Sequence, residues 1–336
     1  MNERDIISLL HNLAGPEKKG LVKGIGDDCA VIKKDSDRLW LVTMDTLVES
    51  VHFDPAWHPP EKLGRKSVAV NVSDIAAMGG APLFVFLSLG LPPGFDTDWL
   101  DRFSRGLAEA CGEYECLLAG GDTVRSSEGI LITLTVIGEV AADQVLYRDR
   151  ARAGDGIWIS GSLGNAAAGL ELCRTGRIKE AGAEGNAMVE HHLNPQARLQ
   201  LGRLLAKSGV IHAMMDLSDG LATDLAHICH ESCAGAVIYS DLLPVSQSLK
   251  NTARLLGRDH FQWILAGGED YELIFTAPDE HTGRIVHLAE SGKVTLTQIG
   301  HIDAKRGVRL VKGGPGQQNV TEEDISFTGF DHFSNT

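Results

Sequence analysis

Apolar residues recur at spacings of three and four from Glu3 to Leu13, from Pro60 to Met78 and from about Asp98 to Cys116, which predicts helices with a buried face. Between and after them lie shorter apolar or β-branched runs, Cys29 to Lys33, Leu39 to Val48, Leu83 to Leu91, Cys116 to Ala119 and Ile130 to Val140, which predict strands. From Ala141 to Asp155 the pattern turns polar and charged, through Tyr147, Arg148, Asp149 and Arg150, before a new strand at Ile157 to Ser160. A domain boundary belongs there, giving an N-terminal α/β domain over 1–141 and a C-terminal α/β domain over 150–336. The second half predicts a glycine turn from Gly161 to Gly164 leading into a helix, then helices near Pro195 to Ser208 and Ser218 to Cys233. Strands follow near Ala236 to Tyr239 and Tyr271 to Thr276, with one more helix and strand before Gly300. Both halves mix the two element types, so the fold class is α/β of the α+β kind, with two mixed-sheet domains.

Charge and composition narrow the partners. Acidic residues outnumber basic ones 45 to 31, a net charge of −14, which argues against nucleic acid or an anionic membrane and at first sight against phosphate ligands. The 38 glycines imply tight turns and close backbone approaches. MNERDIISLL lacks the basic start and apolar centre of an export signal, and the longest apolar stretch, Pro82 to Pro93, is too short to span a bilayer. The six cysteines form no C-x-x-C pair and are expected as reduced core thiols, which places the chain in the cytoplasm.

Carboxylates recur beside glycine, serine or threonine at the ends of apolar runs. They fall in six segments: Asp27-Asp28, Asp45 after Thr43-Met44, Asp74 after Ser73, Asp122 after Gly120-Gly121, Asp216 with Ser218-Asp219, and Glu269-Asp270. Nine of the 45 acidic residues thus account for most of the excess of 14. Each segment alone also suits a helix cap or a turn. Asp74 is the exception, because it falls inside a helix among small apolar residues, with Asn71 one turn back and Lys66 pointing elsewhere. A buried carboxylate without a cation is costly, and a metal ion would supply the charge. Oxygen donors without interleaved Cys or His select a hard cation, and magnesium shared with a nucleotide's phosphates is the expected one. His227, Cys229, His230 and Cys233 offer zinc-type atoms on different helix faces and are read as packing.

No P-loop, protein-kinase or dinucleotide fingerprint is present. The Gly161 to Gly164 turn could hold phosphate on backbone amides or be merely steric. Arg148 reads either as a mobile linker cation that reaches phosphate or as a solvated charge.

Together GIGDDCAVI, TMDTLVESVHF, VNVSDIAAMGG, AGGDT, RxxAxxGD, SGSLGNAAAGL, MDLSDGL, GGEDYEL and the terminal GFDHF resemble the thiamine-monophosphate kinase family, in order and over almost the whole chain. That family lies in the superfamily of aminoimidazole ribonucleotide synthetase. The resemblance implies two domains of that type, with the N-terminal sheet used in dimerisation. It also implies ATP-dependent, in-line phosphorylation of thiamine phosphate to thiamine diphosphate, several magnesium ions, and a homodimer with its sites near the subunit contact. By motif, Asp28, Thr43, Asp45, Asp74, Asp122, Asp216 and Asp219 would hold magnesium, with Asp45, Asp74 and Asp122 at the reacting group. Gly121, Asp122, Arg148 and Ser218 would contact ATP, and His52, Glu269 and Phe330 would hold thiamine phosphate. Met44 stands where a small hydroxyl residue is expected, so only its carbonyl could serve as a ligand, and Asp27 is expected behind the ligands.

Such chemistry needs no general base, since a phosphomonoester's second pKa is about 6 and the attacking oxygen is already ionised. The task is positioning and charge neutralisation. Competing readings are another ATP-dependent ligase of the superfamily, a calcium-binding module, for which no EF-hand loop is present, and a metal-dependent phosphohydrolase. Superfamily members that make selenophosphate or mature hydrogenase resemble chains with a reactive cysteine near the start or at the very end, whereas the first cysteine here is Cys29.

Overall fold

The computed structural model describes residues 3–13, 19–317, 321–330 and 332–333. Asp331 of the terminal aromatic motif lies outside the described residues. The chain starts with helix α1 (Glu3–Leu13) and strands β1 (Leu21–Lys23), β2 (Ala30–Lys33) and β3 (Arg38–Val48). Helix α2 (Pro60–Ala77), β4 (Ala81–Leu91), α3 (Thr97–Glu113), β5 (Leu117–Arg125) and β6 (Leu131–Ala141) complete the first half. The second half holds β7 (Asp155–Ser160), α4 (Asn165–Thr175), α5 (Ile178–Leu193), α6 (Leu199–Ser208), β8 (Ala213–Asp216), α7 (Leu221–Glu231) and β9 (Gly235–Tyr239). It ends with α8 (Gln247–Leu256), α9 (His260–Ala266), β10 (Leu273–Pro278), α10 (Thr282–Gly292), β11 (Leu296–Asp303), β12 (Gly307–Lys312) and β13 (Thr321–Asp324).

The strands form two mixed sheets, a six-stranded one in the order β1-β2-β3-β6-β4-β5 and a seven-stranded one in the order β13-β12-β9-β11-β7-β10-β8. Most pairs are antiparallel; among the strands of the described residues, β4 with β5 and β9 with β12 run parallel. Alternation along β3 buries Leu39, Leu41, Thr43 and Leu47 under α2 and leaves Arg38, Met44 and Thr46 exposed on the opposite face. Proline at its first turn starts α2, which is buried on nearly every side between its own sheet, α3, α6 and β8, so it joins the two halves.

The structure corrects three expectations. The strand expected at Cys116 to Ala119 runs to Arg125, so Gly120, Gly121 and Asp122 lie within a strand and not in a loop. Gly121 is required there by close approach, because a Cβ would sit 1.8 Å from the Leu87 carbonyl oxygen of β4. The expected helix over Ser218 to Cys233 begins only at Leu221 and ends at Glu231, leaving Ser218 to Gly220 as a turn. Helices α5, α8 and α9 have no counterpart in the periodicity reading; α5 is mostly exposed and broken at Gly182, where φ is 63°. All six cysteines carry free thiols. Among the described residues no helix is long and apolar enough to cross a membrane.

Candidate active site

Where α2, β3 and the end of β8 meet, carboxylates converge. One ligand oxygen from each of Asp28, Asp74 and Asp216 lies within 4.8 Å of the others. Asp74 occupies the last turn of α2, Asp216 ends β8, and Asp28 precedes β2. The Thr43 hydroxyl donates to Asp74, and the Ser73 hydroxyl donates to Asp216 Oδ2 at 2.5 Å. Asp45, two residues along β3 from Thr43, is fixed by its N–H to the Asn71 side chain at 3.1 Å. Burial raises every one of these acids that shifts. Burial and the charges of Asp45, Asp216 and Asp28 hold Asp74 well above its usual range. Asp216 is pushed up to about 8 by burial and by Asp28, Asp45 to about 6 by burial, and Asp27 to about 7 by burial and Asp28.

The cation nearest this cluster is Arg148, whose Nη2 lies 2.7 Å from Asp28 Oδ1, with Nε 3.7 Å from Asp27 Oδ1. Burial favours its neutral form, but Asp28 and Asp27 more than offset that and keep the guanidinium charged. Arg148 is therefore neither a mobile linker cation nor a solvated charge. Its side chain is 14 % exposed and pinned to the Asp27-Asp28 turn. Asp28 Oδ2 and Arg148 Nε are buried without a hydrogen-bond partner. Acids raised first by burial and, at Asp74, Asp216 and Asp27, then by neighbouring carboxylates, together with an unpartnered Asp28 oxygen, form a donor set that fits a hard divalent cation.

Two cavities meet at this cluster. The larger, about 620 Å³, is walled by Val51, His52, Val70, Trp263, Glu269, Tyr271, Phe330 and His332. The smaller, about 280 Å³, is walled by Arg4, Asp27, Asp28, Arg148, Asp224, His227 and Phe327. Met44, Asp45, Asp74, Asp216, Ser218, Asp219 and Phe330 border both. The Val48 N–H donates to His52 Nδ1 at 3.0 Å, so the neutral ring carries its proton on Nε2, and burial lowers its pKa. The Phe330 N–H donates to the Asp219 carbonyl, and its ring packs edge-on to His332.

The expected residues do not all assemble. Asp28, Thr43, Asp45, Asp74, Arg148, Asp216, Ser218 and Asp219 come together, and His52, Glu269 and Phe330 line the larger cavity. Met44 borders both cavities with a side chain 64 % exposed. Gly121 and Asp122 line neither cavity and lie on the exposed strand β5. Register runs Asp45 to Leu134 to Leu87 to Gly121, three strand spacings, or about 14 Å at ~4.8 Å each. The glycine turn is not open to phosphate at Gly164 and Ala166, whose N–H groups donate to Asp270 at 2.7 and 3.3 Å.

Four residues escaped the sequence reading. Asp224 accepts from the N–H groups of Asp219 and Gly220, both at 3.1 Å, and so shapes the turn that carries Asp219. Lys66 is wholly buried against Glu269, and with Lys62 and Arg65 beside it on α2 nothing in the sequence marks it out. His192 and Trp263 come from α5 and α9, for which periodicity gave no signal.

The family model for the N-terminal domain of AIR synthase related proteins matches residues 26–140, and that for the C-terminal domain matches 152–313. Thiamine-monophosphate kinase of Haemophilus influenzae is 38% identical over 312 residues, covering 92% of this chain and 91% of its own. The enzyme of the same name from Escherichia coli strain K12 is 37% identical over 314 residues, covering 93% and 92%. Among solved structures, AaThiL complexed with AMPPCP and TMP superposes with a TM-score of 0.82 at 34% identity, covering 96% of this chain and 97% of that one. Thiamine-monophosphate kinase from Stenotrophomonas maltophilia K279a gives 0.75 at 38% identity, covering 91% and 94%. The hydrogenase maturation protein HypE in complex with ATP, at 23% identity and a TM-score of 0.68, shares the fold. On this combination of two matched domains and near full-length identity, the chain belongs to the thiamine-monophosphate kinase family.

Proposed function

We propose that this chain transfers the γ-phosphoryl group of ATP to the phosphate of thiamine phosphate, with the carboxylate cluster at the junction of the two cavities as the transfer point. That junction is the observation that carries the reading: it gives donor and acceptor separate chambers that share one acidic wall. The smaller chamber, with Arg148, suits the nucleotide. The larger, with Trp263, Phe330, His332 and the Glu269 carboxylate, suits a flat cationic acceptor. Residues 1–141 supply most of the proposed metal ligands and half of the smaller chamber's wall, Arg148 lies between the two domains, and 150–336 complete both chambers.

Asp28, Thr43, Asp45, Asp74, Asp216 and Asp219 would hold magnesium, with Met44 able to add only its carbonyl. Bound there, magnesium ions supply neutralisation and alignment of the phosphates. The protein's own part is positioning: Asn71 fixes Asp45, Ser73 fixes Asp216, and Asp224 shapes the turn at Asp219. Arg148, held by Asp28, presents a permanent positive charge to the nucleotide side. His52 stays neutral and offers Nε2–H to the acceptor. No side chain need remove a proton, because the attacking phosphate oxygen is already ionised.

The outer face of the six-stranded sheet supports a homodimer. Met44, Phe84, Phe86 and Leu131 are exposed there, and Leu117, Leu118 and Val124 are exposed along edge strand β5. Apolar exposure on that scale marks an interaction surface. Pairing of two copies through it would let Gly121 and Asp122 serve the partner's site, which they cannot reach within their own chain. Free cysteines fit a cytoplasmic setting. The test is direct: purified protein with ATP and magnesium should convert thiamine phosphate to thiamine diphosphate, resolved by chromatography. ADP release without diphosphate formation would identify a hydrolase.

A further inference from the structure

Lys66 lies mid-way along α2 with a side chain 0 % exposed. Its Nζ crosses to the other half of the chain, 2.6 Å from Glu269 Oε1, and also donates to the His192 carbonyl at 3.2 Å. The second oxygen of the same carboxylate lies 2.8 Å from His192 Nδ1. Glu269 takes the left-handed φ of 68°, rare for a residue with a side chain, and its N–H is tied to the Ser218 carbonyl at 2.8 Å. Lys66 lines neither cavity. It stands behind Glu269, which faces the larger cavity beside His52 and Phe330.

Stability does not explain this arrangement, since an apolar pair of similar volume serves a core as well as a buried ion pair. Orientation does. A glutamate has three rotatable bonds, and a carboxylate gripped at both oxygens from two different helices keeps one position before any ligand arrives. Burial raises the Glu269 pKa, but the Lys66 ammonium and the His192 ring more than offset it and hold the acid well below the usual range.

We infer that Lys66 is a positioning residue for the phosphoryl acceptor, fixing the Glu269 carboxylate in the wall of the larger cavity to receive a cationic, heteroaromatic acceptor. Because it does so from α2 while Glu269 belongs to the other sheet's domain, acceptor binding depends on the contact between the two halves. The inference rests on the kinase reading of that cavity.

The experiment is steady-state kinetics with ATP, magnesium and thiamine phosphate on the wild type, Lys66→Met, Glu269→Gln and the double variant. Lys66→Met should raise KM for thiamine phosphate at least tenfold and change KM for ATP less than twofold. The double variant should match Glu269→Gln within twofold, because Lys66 acts only through that carboxylate. If Lys66→Met does not fold, the double variant, which leaves no unpaired buried charge, decides the matter. A further tenfold rise over Glu269→Gln would overturn the inference. An unchanged KM for thiamine phosphate in folded Lys66→Met, or equal losses for both substrates, would overturn it too. Wild-type protein that forms no thiamine diphosphate refutes the kinase reading itself, a result distinct from an active wild type with indifferent variants.

Discussion

Replacing Asp216 by asparagine in metal-free protein should stabilise the fold at pH 8.5 and change little near pH 4. The carboxyl is 3 % exposed and pushed up to about 8 by burial first and then by the Asp28 charge. Its unfolded value is near 3.9, so the wild type's stability is fully present below about pH 4 and is lost progressively as pH rises through about 8. A shift of roughly four units at ~1.4 kcal/mol each sets an upper bound of about 6 kcal/mol. The real figure is smaller, because the repulsion is shared with Asp28 and Asp45. Asparagine removes the charge and keeps an oxygen to accept from Ser73. The assay is thermal unfolding from pH 4 to 9 in EDTA, where the variant's advantage should grow to about 5 °C or more above pH 8. Added magnesium should reverse the order, since only the wild type keeps the full ligand set and gains stability by binding. Curves that run parallel across pH, or magnesium that leaves the wild type below the variant, would refute the picture of a self-repelling site built for a cation.

Three other outcomes test separate parts of the site. Asp74→Asn should lower kcat by about a hundredfold or more with an unchanged circular dichroism spectrum, the usual order for losing charge stabilisation of a transition state; near wild-type turnover would remove Asp74 from the site. Gly121→Ala forces a Cβ to within 1.8 Å of the Leu87 carbonyl oxygen, so β5 must separate from β4, at a cost of about 2–4 kcal/mol read by denaturant titration. Phe86→Glu puts a charge on the uncovered face of the six-stranded sheet. It should shift light scattering from dimer to monomer and cut kcat at least tenfold; a monomeric variant of full activity would separate the sheet contact from catalysis.

What periodicity could see was the sheet-and-helix skeleton of the first half, where α2 is a long apolar helix and β3 and β6 alternate clearly. It failed at α5, which is mostly exposed and broken at Gly182, and at the seven-residue α9, where little apolar period shows; α8 was missed although its apolar positions do recur at helical spacing. The Trp263 wall of the larger cavity was lost with them, and so was His192, which holds the Glu269 carboxylate. Asp74 was legible because a carboxylate inside an apolar helix has no ordinary explanation, and the structure gives it acidic neighbours on two other segments. Asp270 was misread for the complementary reason. In sequence it is one more acid beside glycine, and only tertiary structure brings it under the amides of Gly164 and Ala166. Arg148 looked mobile because its segment is polar, yet an arginine facing two buried aspartates has little freedom.

Glu269 and Asp270 are adjacent and equally sheltered, but their surroundings drive them apart. Lys66 and His192 hold Glu269 ionised, whereas burial, opposed only by two amide donors, pushes Asp270 up to about 7. Neighbouring carboxyl groups whose environments separate their pKa values take different tasks. One faces the cavity as an anion, and the other ties the Gly161 to Gly164 turn to the following loop. Asp270 therefore occupies amides that a phosphate would otherwise seek at the start of α4. With those donors taken, the direct positive charge beside the cluster comes chiefly from Arg148, already paired with Asp27 and Asp28. The excess of 14 negative charges is then no obstacle to a phosphate ligand that arrives with a divalent cation, which the acidic donor set fits.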